Sequence, residues 1–319
     1  MKVVLVCPAP PSSLRGNRRT AKRWAEILQN LGHQVDIVQK YSGENCDLLV
    51  ALHARKSHES AQKFKHTFPQ KPLFVVLTGT DVYHDIFHHS EAQKSLELAD
   101  KLIAFQPNAL ENLSLEQQKK TAVIYHSAQP PREENLDFVR QGIFEVGVVG
   151  HLRPVKDPFC AARALAYLPS SSQIQVVHLG AALSEELEQE ARHWMGKNPR
   201  YRWLGQVPPA QVWVWLSRFR LVVVSSQMEG GANAISEAIS VGTPVLASKV
   251  SGNVGMLAQD YPGYFPFGDA KRLAHLLRQA EEEGRFYHWL KTCALRFRER
   301  FRPKKEEEAW KNLLASLQS

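Results

Sequence analysis

The sequence predicts an α/β protein made of two doubly wound, Rossmann-like parallel sheets in tandem. Short β-branched runs alternate with helix-period segments along the whole chain. The runs are continuously apolar instead of alternating, as strands are when helices cover both faces of a sheet. The rhythm lapses once, across Ser127–Gly142, and then restarts. With 319 residues, 44% of them hydrophobic, the chain is long enough for two domains at roughly 100–200 residues each.

Taken in order, "KVVLVC", "QVDIVQ", "DLLVALH", "PLFVVLTG", "KLIAFQ" and "TAVIYH" read as the strands of the first domain. Between the first two, Ala21, Trp24, Leu28 and Leu31 recur at helical spacing and Gly32 closes the helix, giving a βαβ unit. The stretch "SAQPPREENLDFVRQG" replaces the apolar pattern with prolines and charges and reads as an interdomain connection. "FEVGVVGHL", "IQVVHLG", "YRWLGQ", "LVVVSS" and "TPVLAS" then supply the second sheet. The expected organisation is residues 1–130 as the first domain, 131–142 as linker and 143–295 as the second domain. Residues 296–319 are expected to be a charged amphipathic helix packing back on the first, with Phe297, Phe301, Trp310 and Leu313 inward. Sheets of this kind bind ligands beyond the carboxyl ends of their strands, so a site is expected in the cleft between the domains.

The formal charge of +8 points to an anionic partner: nucleic acid, an acidic membrane surface or a phosphorylated small molecule. Glu306–Glu308 interrupt the basic tail, which argues against a nucleic-acid arm. Cys7, Cys46, Cys160 and Cys293 are scattered without a CxxC pair, the pattern of reduced thiols in a cytoplasmic protein. The stretch Val3–Cys7 is too short for a signal-peptide core and runs into Pro8, so it reads as a strand. No run approaches the roughly 20 apolar residues that cross a bilayer.

Several strand ends carry chemistry. After "EVGVV" comes "GHLRPVKDP", with Gly150 and His151 at the turn and Arg153 and Lys156 in the loop. Two cations there suit a diphosphate whose charge grows as it leaves. After "LVVVSS" comes "MEGGANAISEA". Gly230 and Gly231 allow close backbone approach, and the free N–H groups of the following helix, at Ala232 and Asn233, favour an anion. Asn233 is placed to cap that helix. Glu237 shares a face with Ser236 and Ser240, and its spacing alone points it toward water. An acid early in such a helix also suits the hydroxyls of a ribose, leaving Glu229 to face a sugar or the reacting centre.

Glu229 and Glu237, with seven residues between them and followed by "VGTPVLAS", resemble the E-x7-E signature of the family 4 retaining glycosyltransferases of GT-B fold. "GHLRPVKDP" is similar to that family's phosphate loop. One branch is more similar still: "PAPPSSLRGNRRTAKRWA", "LVALHARKS", "LTGTDVY", "GHLRPVKDP", "MEGGANAISEA" and "DYPGYFPFGD" together resemble the selenosugar synthases of selenoneine biosynthesis. The resemblance implies a cytoplasmic enzyme that joins selenophosphate to the sugar of a UDP-sugar, such as UDP-N-acetylglucosamine or UDP-glucose, through a carbon–selenium bond. It implies no metal and no other cofactor, nor a nucleic-acid or membrane partner. By the same resemblance Glu237 binds the donor ribose, Glu229 the sugar hydroxyls, Lys156 the diphosphate and Gly230–Gly231 the sugar or phosphates. Gly16 corresponds to the glycine loop after the first strand.

Two positions depart from the broader family. His151 stands where an Arg is usual, leaving Arg153 to supply the second positive charge. Thr78 stands where many members carry a His. A hydroxyl acceptor profits from a positioned base, whereas a selenium anion needs none. The acceptor is therefore expected to be gripped by electrostatics, with His53, Arg55 and Lys56 of "HARKS" and Gly16, Asn17, Arg18 and Arg19 as candidates. Thr80 and Asp81 border them; Asp81 is placed to cap the helix that follows, or to orient substrate. His84 and His88 form an i, i+4 pair beside His89, yet no third metal ligand is apparent. His126 ends the last first-domain strand and is a weaker candidate.

The rival readings are a glycosyltransferase of the same fold with a hydroxyl or thiol acceptor, a nucleotide-sugar sensor without turnover, and a dinucleotide oxidoreductase. No G-x-G-x-x-G opens either domain, which disfavours the last.

Overall fold

The computed structural model describes residues 1–13, 16–131 and 142–317. Most of the expected linker, residues 132–141, lies outside the described residues. Two compact units are present. The first comprises Met1–His126, Glu229–Gly231 and Lys304–Ser319; the second comprises Ser127–Met228 and Ala232–Pro303.

Six strands form the sheet of the first unit: β1 (Lys2–Val6), β2 (Gln34–Val38), β3 (Leu48–Leu52), β4 (Leu73–Leu77), β5 (Lys101–Ala104) and β6 (Thr121–Val123). They are parallel throughout, in the order β2-β1-β3-β4-β5-β6. β3 and β4 are wholly buried, whereas β2 at the edge is not. A central strand must bury both faces under helices, so only the interior strands read as unbroken apolar runs. Gly32 ends the Gly16–Asn30 helix at φ 84°, the left-handed turn expected of it.

The two faces of this sheet carry separate cores. On one, Trp24, Leu28 and Ala21 pack with Trp310, Leu313 and Leu314 of the Pro303–Ala315 helix. Trp24 and Trp310 meet edge to face at 4.8 Å. Trp24 Nε1 donates to Glu306 at 2.6 Å, and Arg23 reaches the same carboxylate at 2.8 Å. The charged tail is not one helix, because Pro303 cannot continue the preceding one. Phe297 and Phe301 are buried in the second unit, while Trp310 and Leu313 are buried in the first.

In the second unit β7 (Phe144–Val149), β8 (Ile174–Leu179), β9 (Tyr201–Trp203), β10 (Leu221–Val224), β11 (Val245–Ser248) and β12 (Tyr264–Phe265) form another parallel sheet, in the order β12-β11-β10-β7-β8-β9. The two-residue β12, in "GYFPF", was too short to read from the sequence. Strand order reverses between β1 and β3 in one sheet and between β7 and β10 in the other. Diverging connections leave a crevice at such a switch point, where doubly wound sheets bind ligands. No helix among the described residues is long and apolar enough to cross a membrane.

Candidate active site

In the first unit the loops after β1, β3 and β4 gather most of the expected acceptor residues. Asn17 Nδ2 donates to Thr78 Oγ1 at 3.5 Å, linking the helix after β1 to the end of β4. Arg18 is buried beside them. His53 follows β3 at φ 77°, a left-handed conformation that a non-glycine residue keeps only when its surroundings hold it there. They do: its ring is buried, Nδ1 accepts from Lys56 N at 3.4 Å and Nε2 lies 3.3 Å from Thr80 Oγ1. Burial lowers the His53 pKa, and Asp81 and Asp85 only partly oppose it. Lys56 is exposed and Arg55 half-buried.

Asp81 is wholly buried and is committed to backbone. Its carboxylate accepts from Ala54 N at 3.0 Å, Thr78 N at 2.8 Å, Gly79 N at 2.7 Å and Val82 N at 3.1 Å. It sits in the first turn of Asp81–Asp85, with Thr80 at the cap position.

Among the described residues one group has metal-ligand character: His84, Asp85 and His89, whose ligand atoms lie within 4.8 Å of one another. The sequence suggested His84 with His88; the structure adds Asp85 and exchanges His88 for His89. The Arg55 guanidinium reaches the same group, with Nε 2.9 Å from Asp85 Oδ2 and a terminal nitrogen 3.3 Å from His89 Nε2. A guanidinium there supplies the positive charge a metal ion would bring.

The Glu229–Gly231 segment also belongs to the first unit. Its glycines were expected to let a ligand approach closely; in the structure what they approach is protein backbone and a ring. A Cβ on Gly230 would meet Thr78 O at 2.4 Å, and one on Gly231 would meet Phe105 Cβ at 2.6 Å. His126, buried and only a weak candidate in the sequence, lies against both neighbours. Its ring is 3.8 Å from that of Phe105, Nδ1 is 3.2 Å from Gly231 O, and Nε2 is 3.2 Å from Thr20 Oγ1. A carbonyl only accepts, so Nδ1 carries the hydrogen and Nε2 accepts the Thr20 hydroxyl. Burial, reinforced by Arg23 and Arg19, pushes the His126 pKa well below its usual value.

In the second unit Gly150, His151 and Lys156 come together with His178, Ser225, Ser226 and Ala234 around one recess. It lies at the ends of β7 and β10, the switch point of that sheet. The loop is fastened at several places. Ser225 Oγ donates to Lys156 O at 3.0 Å and to Asp157 O at 2.9 Å, and Gln227 N donates to Val155 O at 2.8 Å. Asp157, at φ 42°, holds Arg163 through both carboxylate oxygens at 2.8 and 2.7 Å. Arg153 stands at the cap of the short turn Pro154–Lys156 and does not line the recess.

Two histidines on β8 and its neighbouring loop complete this fastening. His151 Nδ1 accepts Ala181 N at 3.1 Å, which leaves its hydrogen on Nε2. His178 Nε2 lies 3.1 Å from Gly150 O and Nδ1 lies 3.0 Å from the Tyr201 hydroxyl. Complete burial pushes the His178 pKa down to about 4, so the neutral ring donates to Gly150 O and accepts from Tyr201. A Cβ on Gly180, which stands at φ 151°, would lie 1.9 Å from Gly150 O, whereas one on Gly150 would meet only the Lys156 side chain at 3.5 Å, so the strict demand for glycine falls on position 180. The sequence drew attention to neither His178 nor Gly180; "HLG" ending an apolar strand was the available signal.

The helix Asn233–Ser240 starts beside this recess. Two details differ from expectation. Ala232 occupies the cap position with no side-chain cap bond, so Asn233 is the first helical residue and does not cap it. Glu237 does not point to water; it is 4% exposed. A buried glutamate one turn into an eight-residue helix of small apolar side chains is costly unless satisfied, which sets it apart from a solvated surface charge.

A model of the family described as glycosyl transferases group 1 matches residues 108–297, well over half of the chain. The chain belongs to the group 1 glycosyl transferases. Among solved structures, this transferase is similar to Anabaena HepE in complex with UDP-glucose, with 16% identity and a TM-score of 0.78 over 99% of this chain and all of HepE. It is also similar to a sucrose-phosphate synthase from Thermosynechococcus elongatus, with 16% identity and a TM-score of 0.79 over 99% and 98% of the two chains. The lipopolysaccharide outer core galactosyltransferase WaaB gives 14% identity and a TM-score of 0.73 over 99% of each. At these identities the likeness is one of fold, and the fold is that of the GT-B glycosyltransferases.

Proposed function

We propose that this glycosyl transferase moves the sugar of a UDP-sugar, UDP-N-acetylglucosamine or UDP-glucose, onto the selenium of selenophosphate in selenoneine biosynthesis. The observation that carries the donor half is the recess shared by Gly150, His151 and Lys156, with Glu237 buried in the helix that begins beside it. In this reading Glu237 binds the ribose hydroxyls, Lys156 and the helix N-terminus hold the diphosphate, and Glu229 binds the sugar.

The sugar C1–oxygen bond breaks with its electron pair leaving on UDP, and a selenium lone pair forms the C1–Se bond. Negative charge grows on the departing diphosphate, where a fixed ammonium and amide dipoles lower the barrier because they need no reorganisation. The product still carries phosphate on selenium, and its removal consumes a water at phosphorus.

The acceptor half is supported by what the first unit offers in place of a base. Asp81 is consumed by four amides, and Thr78 stands at the end of β4 where many relatives carry a histidine. Such a site suits a nucleophile that arrives ionised. Asn17, Arg18, Arg55 and Lys56 are the residues to hold it.

The test is mass spectrometry of purified enzyme with freshly prepared selenophosphate and a panel of UDP-sugars. A glycosyl-selenium product supports the proposal. Turnover with a hydroxyl or thiol acceptor when selenophosphate is omitted would replace it with the alternative acceptor, and UDP binding without donor consumption would replace it with a sensor. Lys56→Ala is expected to raise the KM for selenophosphate while leaving that for the UDP-sugar unchanged.

A further inference from the structure

We propose that His126 is a positioning residue that sets the backbone of the Glu229–Gly231 segment through its hydrogen bond to the Gly231 carbonyl. Contacts of two kinds bear on where that segment lies. Gly230 is pressed on Thr78 O, and Gly231 on Phe105. Both are contacts of exclusion: they say how near the backbone comes, and they leave its rotation open. The bond from His126 Nδ1 to Gly231 O, at 3.2 Å, is directional, and it fixes the peptide plane that follows Glu229 and Gly230.

The histidine is itself fixed twice. Phe105 lies against its ring at 3.8 Å, and with the hydrogen held on Nδ1 by the Gly231 carbonyl, Nε2 accepts the Thr20 hydroxyl at 3.2 Å and the ring is anchored at both nitrogens. Thr20 lies on the Gly16–Asn30 helix and is buried. The Glu229 backbone is therefore referred, through Gly231 and His126, to the helix that follows β1. A carboxylate that must meet sugar hydroxyls as C1 moves away from the diphosphate needs its main chain placed to a fraction of an ångström. A displacement of about 1 Å costs on the order of 100-fold in rate.

The kinetic arm of this inference rests on the UDP-sugar reading; the structural arm does not. Both are read on the whole chain carrying His126→Ala, His126→Asn or His126→Gln. The Asn amide nitrogen stands near the place of Nδ1 and can donate to Gly231 O, while that of Gln stands near Nε2 and cannot. Amide hydrogen exchange across Glu229–Ala232 is expected to quicken in H126A and H126Q and to stay at the parent rate in H126N. With whichever acceptor the parent uses, kcat is expected to fall on the order of 100-fold in H126A and to recover in H126N, with UDP affinity by calorimetry unchanged in both. Thr20→Val is expected to lower kcat less than H126A, and Thr20→Ser to restore it.

H126N matching H126A in exchange would overturn the proposal, and so would parent exchange in H126A. If the parent turns over no UDP-sugar, the donor reading fails and the exchange result alone decides the role of His126. Thermal melting of each variant separates loss of the segment from loss of the fold.

Discussion

The Asp81 carboxylate accepts the Ala54 backbone N–H at 3.0 Å, tying the loop after β3 to the loop after β4. The same carboxylate holds the amides of Thr78 and Gly79. A buried carboxylate with several amide donors is a strong local fastening, because each donor would otherwise be left without water. Asp81→Asn replaces one accepting oxygen by a donor facing amides. It is expected to lower stability by about 2 kcal/mol, read as a shift in the denaturation midpoint with little change in slope.

Acid sensitivity should follow from the buried histidines. His178, His126, His53 and His58 all have pKa values lowered by burial. A histidine whose folded pKa lies below its unfolded value leaves the unfolded chain holding more protons between the two, so stability falls as pH falls. For His178 the window runs from about 6.5 in the unfolded chain down to about 4. Across it this residue alone accounts for ~3 kcal/mol. His178→Gln keeps a donor for Gly150 O and removes the titration, so its stability should fall less steeply across that window in denaturation experiments at stepped pH.

Donor binding is expected to separate two residues of the second unit. Glu237→Ala should weaken UDP binding about 10- to 100-fold, the loss of hydrogen bonds to a charged group, seen by calorimetry. Lys156→Ala should lower kcat about 100-fold or more by withdrawing charge from the leaving group, seen in UDP release. The Lys156 backbone carbonyl keeps its Ser225 bond in that variant, so the loop should stay folded.

The Pro303–Ala315 helix gives a fourth expectation. Glu306 is buried between Arg23 and Trp24 Nε1. Glu306→Ala strands both donors and should cost about 3–5 kcal/mol. Loss of the near-ultraviolet signal of the Trp24–Trp310 pair should accompany it.

The fold was largely legible because its signals are local. β3, β4 and β10 announce themselves as apolar runs that only doubly covered strands require, and Gly32 marks a helix end by its own backbone preference. The Gly150 and Gly230 loops were legible for the same reason, being glycines at strand ends. What escaped notice depends on neighbours far along the chain. Gly180 looks like any strand-end glycine until Gly150 O is placed 1.9 Å from its would-be Cβ. His178 and His126 read as isolated histidines until a carbonyl from another loop arrives at each. For Glu237 spacing alone favoured water over a ligand, because helical spacing gives a residue's direction and says nothing of what covers it; the side chain is 4% exposed.

Trp24 and Trp310 meet in one core, yet hundreds of codons separate them. At a translation rate of roughly 5–20 residues per second, Trp24 leaves the ribosome tens of seconds before its partner is made. Throughout that interval one side of the nascent first sheet is covered by the Gly16–Asn30 helix without the Pro303–Ala315 helix that completes its core. A chaperone that shelters exposed tryptophan and leucine would find its longest opportunity there, and pulse-labelled chains stalled before residue 304 should be the species it holds.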